Sequence, residues 1–317
     1  MVKSLKKNNI GIFILAYSRL DHLKKTINSV KKNISNNDNI YIFADNYSKD
    51  QNYKTIKSIV EVRKYLKSLN KKKFKIFLRK RRLGMKKNWF LAYDFMFNKY
   101  KKVICLEDDI VIKKKFIEYM IYYLNKYEKI NKIMNITGFG TDIKLPSNYK
   151  YDCFLTKRSM SWGQGSWRRV WKKFKKLNKD HKKVLLISEN KDKLISAGQD
   201  LLRTMTLDHF KHVDSIQVWW IWNILKNKGY SINPVRSLVN NIGYDGTGYH
   251  SKLGDDFPKS IKKITTRKKM SKIYYKDKIN QNFVEKFNIK KTTFFLFNFL
   301  PMNLINILFV LKKIVKI

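Results

Sequence analysis

The sequence predicts an α/β fold: a mostly parallel sheet with helices on both faces, followed by a basic, partly apolar C-terminal extension. Two observations carry this. Short apolar runs alternate with segments whose apolar residues recur every three or four positions, the patterns of buried strand and amphipathic helix. Three polar clusters, Tyr17-Ser18-Arg19, Asp45-Asn46 and Glu107-Asp108-Asp109, each follow a strand-like run. In a parallel sheet such positions gather at the carboxyl edge of the strands, where ligands bind.

Residues 10–17 read as the first strand. A helix follows, with Leu20, Leu23, Ile27, Val30 and Ile34 on one face. Asp21 suits its first turn, where a negative charge meets free N–H groups. Strands are expected at 39–44, 73–78, 102–106 and 132–137. Helices are expected at 51–69, 85–98 and 114–127. Beyond residue 140 the alternation is lost. Helices are expected near 192–210 and 215–227, among aromatic segments around Trp162, Trp167, Trp171 and Trp219. Trp171 reads as core, because Trp167 and Trp171 stand four apart on a helix.

The 317 residues carry 69 Lys and Arg against 24 Asp and Glu, a net charge of +45. Such an excess points to anionic surroundings: phosphate-bearing substrates, anionic lipid or nucleic acid. With 44% apolar residues, disorder over the whole length is excluded. Cys105 and Cys153 lack metal spacing and form no disulfide framework. They suit a reducing compartment. The run Ile10 to Ala16 reads as a buried strand rather than a signal-peptide core, since no small-residue cleavage site follows it.

Glu107, Asp108 and Asp109 end a buried strand. Alternation of side chains sends Glu107 and Asp109 one way and Asp108 the other. Three adjacent carboxylates repel, and a divalent cation relieves that repulsion. Oxygen ligands suit Mg²⁺ or Mn²⁺, which also takes substrate phosphates. The bland alternative is an acidic approach to the helix at 114–127.

From residue 10 to 251 the chain resembles glycosyltransferases of the GT-A, or nucleotide-diphospho-sugar transferase, fold. The pieces are Phe13 to Arg19, Phe43-Ala44-Asp45-Asn46, Leu83 to Trp89, Leu106 to Ile110, Ser161 to Trp167, and Ser237 to His250. It is similar to the N-acetylglucosaminyltransferase I type and to bacterial family-2-like transferases with a Glu-Asp-Asp metal motif. The resemblance implies a Rossmann-like GT-A fold and a hexosyl- or N-acetylhexosaminyltransferase. That enzyme takes a nucleotide-sugar donor, UDP-sugar favoured, and a glycan or lipid-linked acceptor, as in polysaccharide biosynthesis. It implies that Arg19 and Asp45 hold the nucleotide, that Asp109 binds the metal, and that Glu107 and Asp108 contact ribose, donor sugar or the metal shell. It also implies inversion in one displacement, with a carboxylate base. Asp214 is the residue chosen for that base, with Asp200 and Asp208 as rivals, or else Asp214 is an ordinary helix cap.

Tyr17 lies in the first of these clusters and is expected to line the donor site. Lys86 and Asn88 open a helix near the expected diphosphate, and a helix N-terminus favours anions. Trp162 and Gly163 suit an acceptor sugar: a flat ring beside a permissive backbone. The resemblance also implies a place for His250 in the metal shell, although a lone His is more often structural. The expected organisation is a catalytic domain at 1–255, with a nucleotide-sugar-binding half at about 1–115 and an acceptor-binding half at 116–255, then a tail at 256–317. The tail's run from Phe294 to Leu311 contains Pro301 and three asparagines, which suits an interfacial anchor better than a span. A cytoplasmic enzyme, peripheral on the inner face of an anionic membrane, is expected. A cut after about residue 258 is expected to leave catalysis intact. Two rival classes are a basic nucleic-acid-binding protein and an inactive GT-A-like partner protein. Specific nucleic acid is not expected, because carboxylates gather where phosphates would come and no nucleic-acid-binding motif is present.

Overall fold

The computed structural model describes residues 4–245 and 268–314. His250 and residues 256–267 of the expected tail lie outside them.

The N-terminal half alternates as expected: β1 (Ile10–Ala16), α1 (Leu20–Lys31), β2 (Ile40–Ala44), α2 (Tyr53–Ser68), β3 (Phe74–Leu78), α3 (Met85–Lys99) and β4 (Lys102–Glu107). β2 is buried along its whole length and β1 nearly so, as continuous apolar runs demand in a sheet covered on both faces. Then come β5 (Ile110–Ile112), α4 (Phe116–Lys126), β6 (Ile133–Thr137), β7 (Cys153–Thr156), β8 (Gln164–Trp167), α5 (Arg168–Lys175) and α6 (His181–Leu185). They are followed by α7 (Ser188–Ile195), α8 (Asp200–His209), α9 (Ile216–Lys226), β9 (Tyr230–Pro234) and β10 (Val239–Asn241). The helix expected at 192–210 is thus two helices. The Arg158 guanidinium holds the break, donating to the Ala197 carbonyl at 3.2 Å and to Asp200 at 2.7 and 2.8 Å.

One sheet runs β3-β2-β1-β4-β8-β6-β9-β7. β3, β2, β1 and β4 are mutually parallel, β8 is antiparallel to β4 and β6, β6 and β9 are parallel, and β7 is an antiparallel edge. This is the mostly parallel α/β arrangement of the GT-A fold. From β1 the chain winds outward to β2 and β3, then returns to place β4 on the other side of β1. The topological switch point, where such sheets bind ligands, therefore lies between β1 and β4. β5 and β10 form a separate antiparallel ribbon. Trp89, Tyr93, Trp171, Phe174 and Trp220 pack together where α3, α5 and α9 meet. Trp171 is core, 2% exposed.

The C-terminal helices are α10 (Asp277–Val284), α11 (Lys291–Phe299) and α12 (Met302–Ile314). Among the described residues no helix is long and apolar enough to cross a membrane. α10 packs on β7. Asn280 Oδ1 accepts from the Thr156 hydroxyl and the Lys157 N–H, both at 2.9 Å, and Phe283 is fully buried against Phe154. The expectation that a cut after about residue 258 leaves the catalytic core intact meets these contacts. Such a cut removes Met270, Ile279 and Phe283, all buried. Asn280→Ala strands one buried and one part-buried donor and is expected to cost about 1–3 kcal/mol. Urea unfolding measures it, and an unchanged midpoint would show that α10 contributes nothing to the core.

Candidate active site

The switch point builds the site. Leu15 of β1 stands opposite Glu107 of β4 in the parallel register. The residues that follow each strand are therefore neighbours. Arg19, just before α1, donates to Asp108 in a close ion pair and reaches Asp109 Oδ2 at 3.0 Å. The Tyr17 N–H also points at Asp108, at 3.4 Å. Burial pushes the Asp108 carboxyl up to about 6, against the pull of Arg19. Burial and then the Asp109 charge push Glu107 up to about 7, while the Ser161 hydroxyl works the other way. Part of the repulsion that the sequence assigns to a cation is thus relieved by Arg19.

Asp109 keeps one oxygen back. Its Oδ1 is buried with no hydrogen-bond partner among the described residues. The β5–β10 ribbon folds the segment after β10 over it: the Ile242 N–H donates to the Asp109 carbonyl at 3.0 Å. A Cβ on Gly243 would lie 2.2 Å from Asp109 Oδ2, so the residue there must be glycine for the segment to approach. His22 Nε2 sits 3.0 Å from the Ile242 carbonyl and 3.1 Å from Asp245. Among the described residues, no three His, Cys, Asp or Glu side chains converge as a ready-made metal cage. A single free carboxylate oxygen still suits a Mg²⁺- or Mn²⁺-type site, which is completed by phosphates and water. Asp109 would hold it.

The other expected residues divide. Asp45 is buried, and its carboxylate accepts from the Leu83 and Gly84 N–H groups at 2.9 Å each. It fixes the loop that leads into α3. Asn88 is bonded to Arg79 Nε and to the Phe43 carbonyl, so its amide ties α3 to the sheet. Lys86 bridges Asp208 at 3.0 Å and Asp214 at 3.1 Å. Asp208 also accepts from His181, the Ser215 N–H and Trp219 Nε1. Asp214 is not the cap of α9: Ser215 is, accepting from the Val218 N–H. The Tyr17 hydroxyl accepts from Gln51 at 2.6 Å. Trp162 is half-buried between Phe139 and Tyr244, ring centroids 4.7 and 5.7 Å away. Gly163 has φ +65°, and a Cβ on it would lie 2.7 Å from the Phe116 ring; packing alone demands glycine there. His22 is a site residue that no sequence pattern singles out, while Ser161 and Gly243 lie in segments that carry the resemblance without being singled out there. His22 lies in the first turn of α1, three residues after Arg19 at its N-cap.

The family model for glycosyl transferase family 2 matches residues 11–190. The chain belongs to this family. It is a glycosyltransferase, and the matched span contains the switch point and its acidic cluster. No curated protein sequence matches the chain. Solved structures are similar at low identity. The mannosyltransferase PcManGT from Pyrobaculum calidifontis, in complex with GDP-Man and Mn²⁺, is 8% identical, with 69% of this chain and 68% of that one covered and a TM-score of 0.40. GalNAc-T7 with UDP, GalNAc and Mn²⁺ is 10% identical, with 71% and 42% covered and a TM-score of 0.45. S. aureus TarS 1-349 is 13% identical, with 51% and 48% covered and a TM-score of 0.34.

Proposed function

We propose that this family 2 enzyme moves a hexosyl or N-acetylhexosaminyl group, with inversion, from a nucleotide-diphosphate donor to a glycan or lipid-linked acceptor. UDP-sugars are the favoured donors. The observation that carries this is the unpaired, buried Asp109 Oδ1 beside Arg19 at the switch point. A bound Mn²⁺ or Mg²⁺ supplies Lewis-acid neutralisation of the departing diphosphate. Arg19 holds Asp108 and Asp109 in place and adds positive charge where the diphosphate lies. Residues 1–115 form the donor half and 116–255 the acceptor half, with Trp162 offering a ring to the acceptor sugar. The acceptor oxygen attacks the anomeric carbon as the bond to the diphosphate oxygen breaks, and the hydroxyl proton passes to Asp214. Inversion follows from that single displacement. A peripheral position on an anionic membrane suits the basic charge and a lipid-linked acceptor.

A screen of UDP-, GDP- and CDP-sugars for hydrolysis with and without Mn²⁺ tests the reading. At least one donor is expected to be cleaved only with the cation. Cleavage of none, by folded protein, would remove the proposal.

A further inference from the structure

α11 and α12 present apolar side chains to solvent in helical register. On α12, Leu304, Ile307, Leu308 and Leu311 are all exposed, at spacings of three and four that make one stripe. On α11, Phe295, Leu296 and Phe299 do the same. Among the described residues, Lys291, Thr292 and Asn303 are the exposed polar residues of the two helices, whereas Asn298 and Asn306 are half-buried. Asn306 Oδ1 accepts from His212 Nε2 at 2.8 Å, and the Asn298 backbone carbonyl accepts from Lys191 Nζ at 2.9 Å. The helix pair is therefore tied to the domain at Asn298 and Asn306 and keeps a mostly apolar outer face. That is the reverse of an ordinary surface helix.

A third segment joins them. Leu186 and Ile187, in the turn between α6 and α7, are 68% and 48% exposed. Leu186 lines one cleft with Phe299, Leu300, Pro301 and Met302. Ten of the eighteen exposed large apolar side chains among the described residues fall on these three segments, so the apolar surface is gathered rather than scattered. Gathered apolar surface marks an interaction site. Its border is net positive, as an anionic occupant requires. Residues 181–193 and 285–311 hold seven lysines against three acidic residues, Glu189, Asp192 and Glu285. Lys182, Lys183, Lys290 and Lys291 are exposed on its borders.

We propose that the α6–α7 turn and the outer faces of α11 and α12 form one docking surface for an anionic lipid bilayer. The turn inserts Leu186 and Ile187 about 100 residues ahead of the tail in sequence. Apolar stripes bordered by lysines suit the plane of headgroups, with no helix crossing it. The surface also has a fixed relation to the acceptor side. His181 at the start of α6 bonds Asp208, which Lys86 links to Asp214. Leu186 lies five residues further, roughly 7–8 Å along a helical rise. A lipid-linked acceptor would reach the site directly from the bilayer; this last point rests on the proposed transferase reading.

Flotation with vesicles of phosphatidylcholine, with and without 30% phosphatidylglycerol at roughly low and high salt screening, tests the surface. Full-length protein is used and no donor is added, so a failure here leaves the donor-hydrolysis reading standing, and the reverse. The protein is expected to float with anionic vesicles at low salt and to stay behind with neutral ones. Leu186→Ser with Ile187→Ser is expected to lower the bound fraction about tenfold, as is Phe299→Ser with Leu308→Ser. Circular dichroism and donor hydrolysis are expected to stay unchanged in both. Absence of flotation, or flotation that the Leu186 and Ile187 pair does not alter, overturns the proposal. So does light scattering that gives a dimer which those same substitutions dissociate, for then a second copy covers the surface.

Discussion

Asp109→Asn is expected to abolish cation-dependent donor hydrolysis, by about 10³-fold or more, while the protein stays folded. Among the described residues Asp109 Oδ1 is buried without a partner. Neutralising the carboxylate weakens both its hold on a cation and its ion pair with Arg19. The fold survives because Arg19 keeps Asp108, and because the Asp109 backbone still accepts from Ile242. Hydrolysis against Mn²⁺ concentration, with thermal melting as the folding control, reads the result. Wild-type turnover by Asp109→Asn in excess chelator would end the metal-assisted reading of this site.

The sheet up to β4 was legible because its inner strands β1, β2 and β4 are mainly apolar runs buried on both faces, with one helix between successive strands; β3, at the edge, is only partly buried. β1, β2 and β4 obey that rule almost residue by residue. β8 does not. Gln164-Gly165-Ser166-Trp167 has no apolar alternation, yet all four residues are buried. Gln164 Nε2 donates to Asn135 at 2.7 Å, and the Ser166 hydroxyl donates to the Met134 carbonyl at 2.8 Å. A polar strand with its bonds satisfied by tertiary neighbours leaves no hydrophobic period to read. The same limit applies to the site. Clustering of Arg19 with Glu107-Asp108-Asp109 follows from topology alone. That Asn88 and Asp45 are bonded to backbone and neighbouring side chains follows from loop geometry, which no spacing encodes.

Asp214→Asn is expected to slow sugar transfer by roughly 10²–10⁴ in kcat, with donor binding and cation dependence kept. Three carboxylates compete for the role of base, and their surroundings separate them. Asp200 is clasped by both terminal nitrogens of Arg158. A carboxylate in that grip has little freedom to take a proton. Asp208 is 5% exposed and accepts from four donors. Burial pushes its pKa up, but His181, the Ser215 N–H and Lys86 outweigh it and bring the group down to about 2. So acidic a group is a weak base near neutral pH. Its depressed pKa makes it a stability element instead. That contribution is complete above the ordinary value of 3.8 and is lost as pH falls through about 2. Asp208→Asn is therefore expected to lower the melting temperature at pH 7 and to shrink that deficit toward pH 2. Asp214 differs from both. Its side chain is 54% exposed, and Lys86 Nζ meets it at 3.1 Å. Lys86 also meets Asp208 at 3.0 Å, so one ammonium holds both carboxylates, and Asp214 is the one of the two that solvent reaches. Steady-state kinetics on a cleaved donor and an accepted sugar, with KM and kcat taken apart, decide the matter. Near-wild-type kcat in Asp214→Asn, beside a folded and inactive Asp208→Asn or Asp200→Asn, would move the base to that residue and leave the fold and the metal site as they stand.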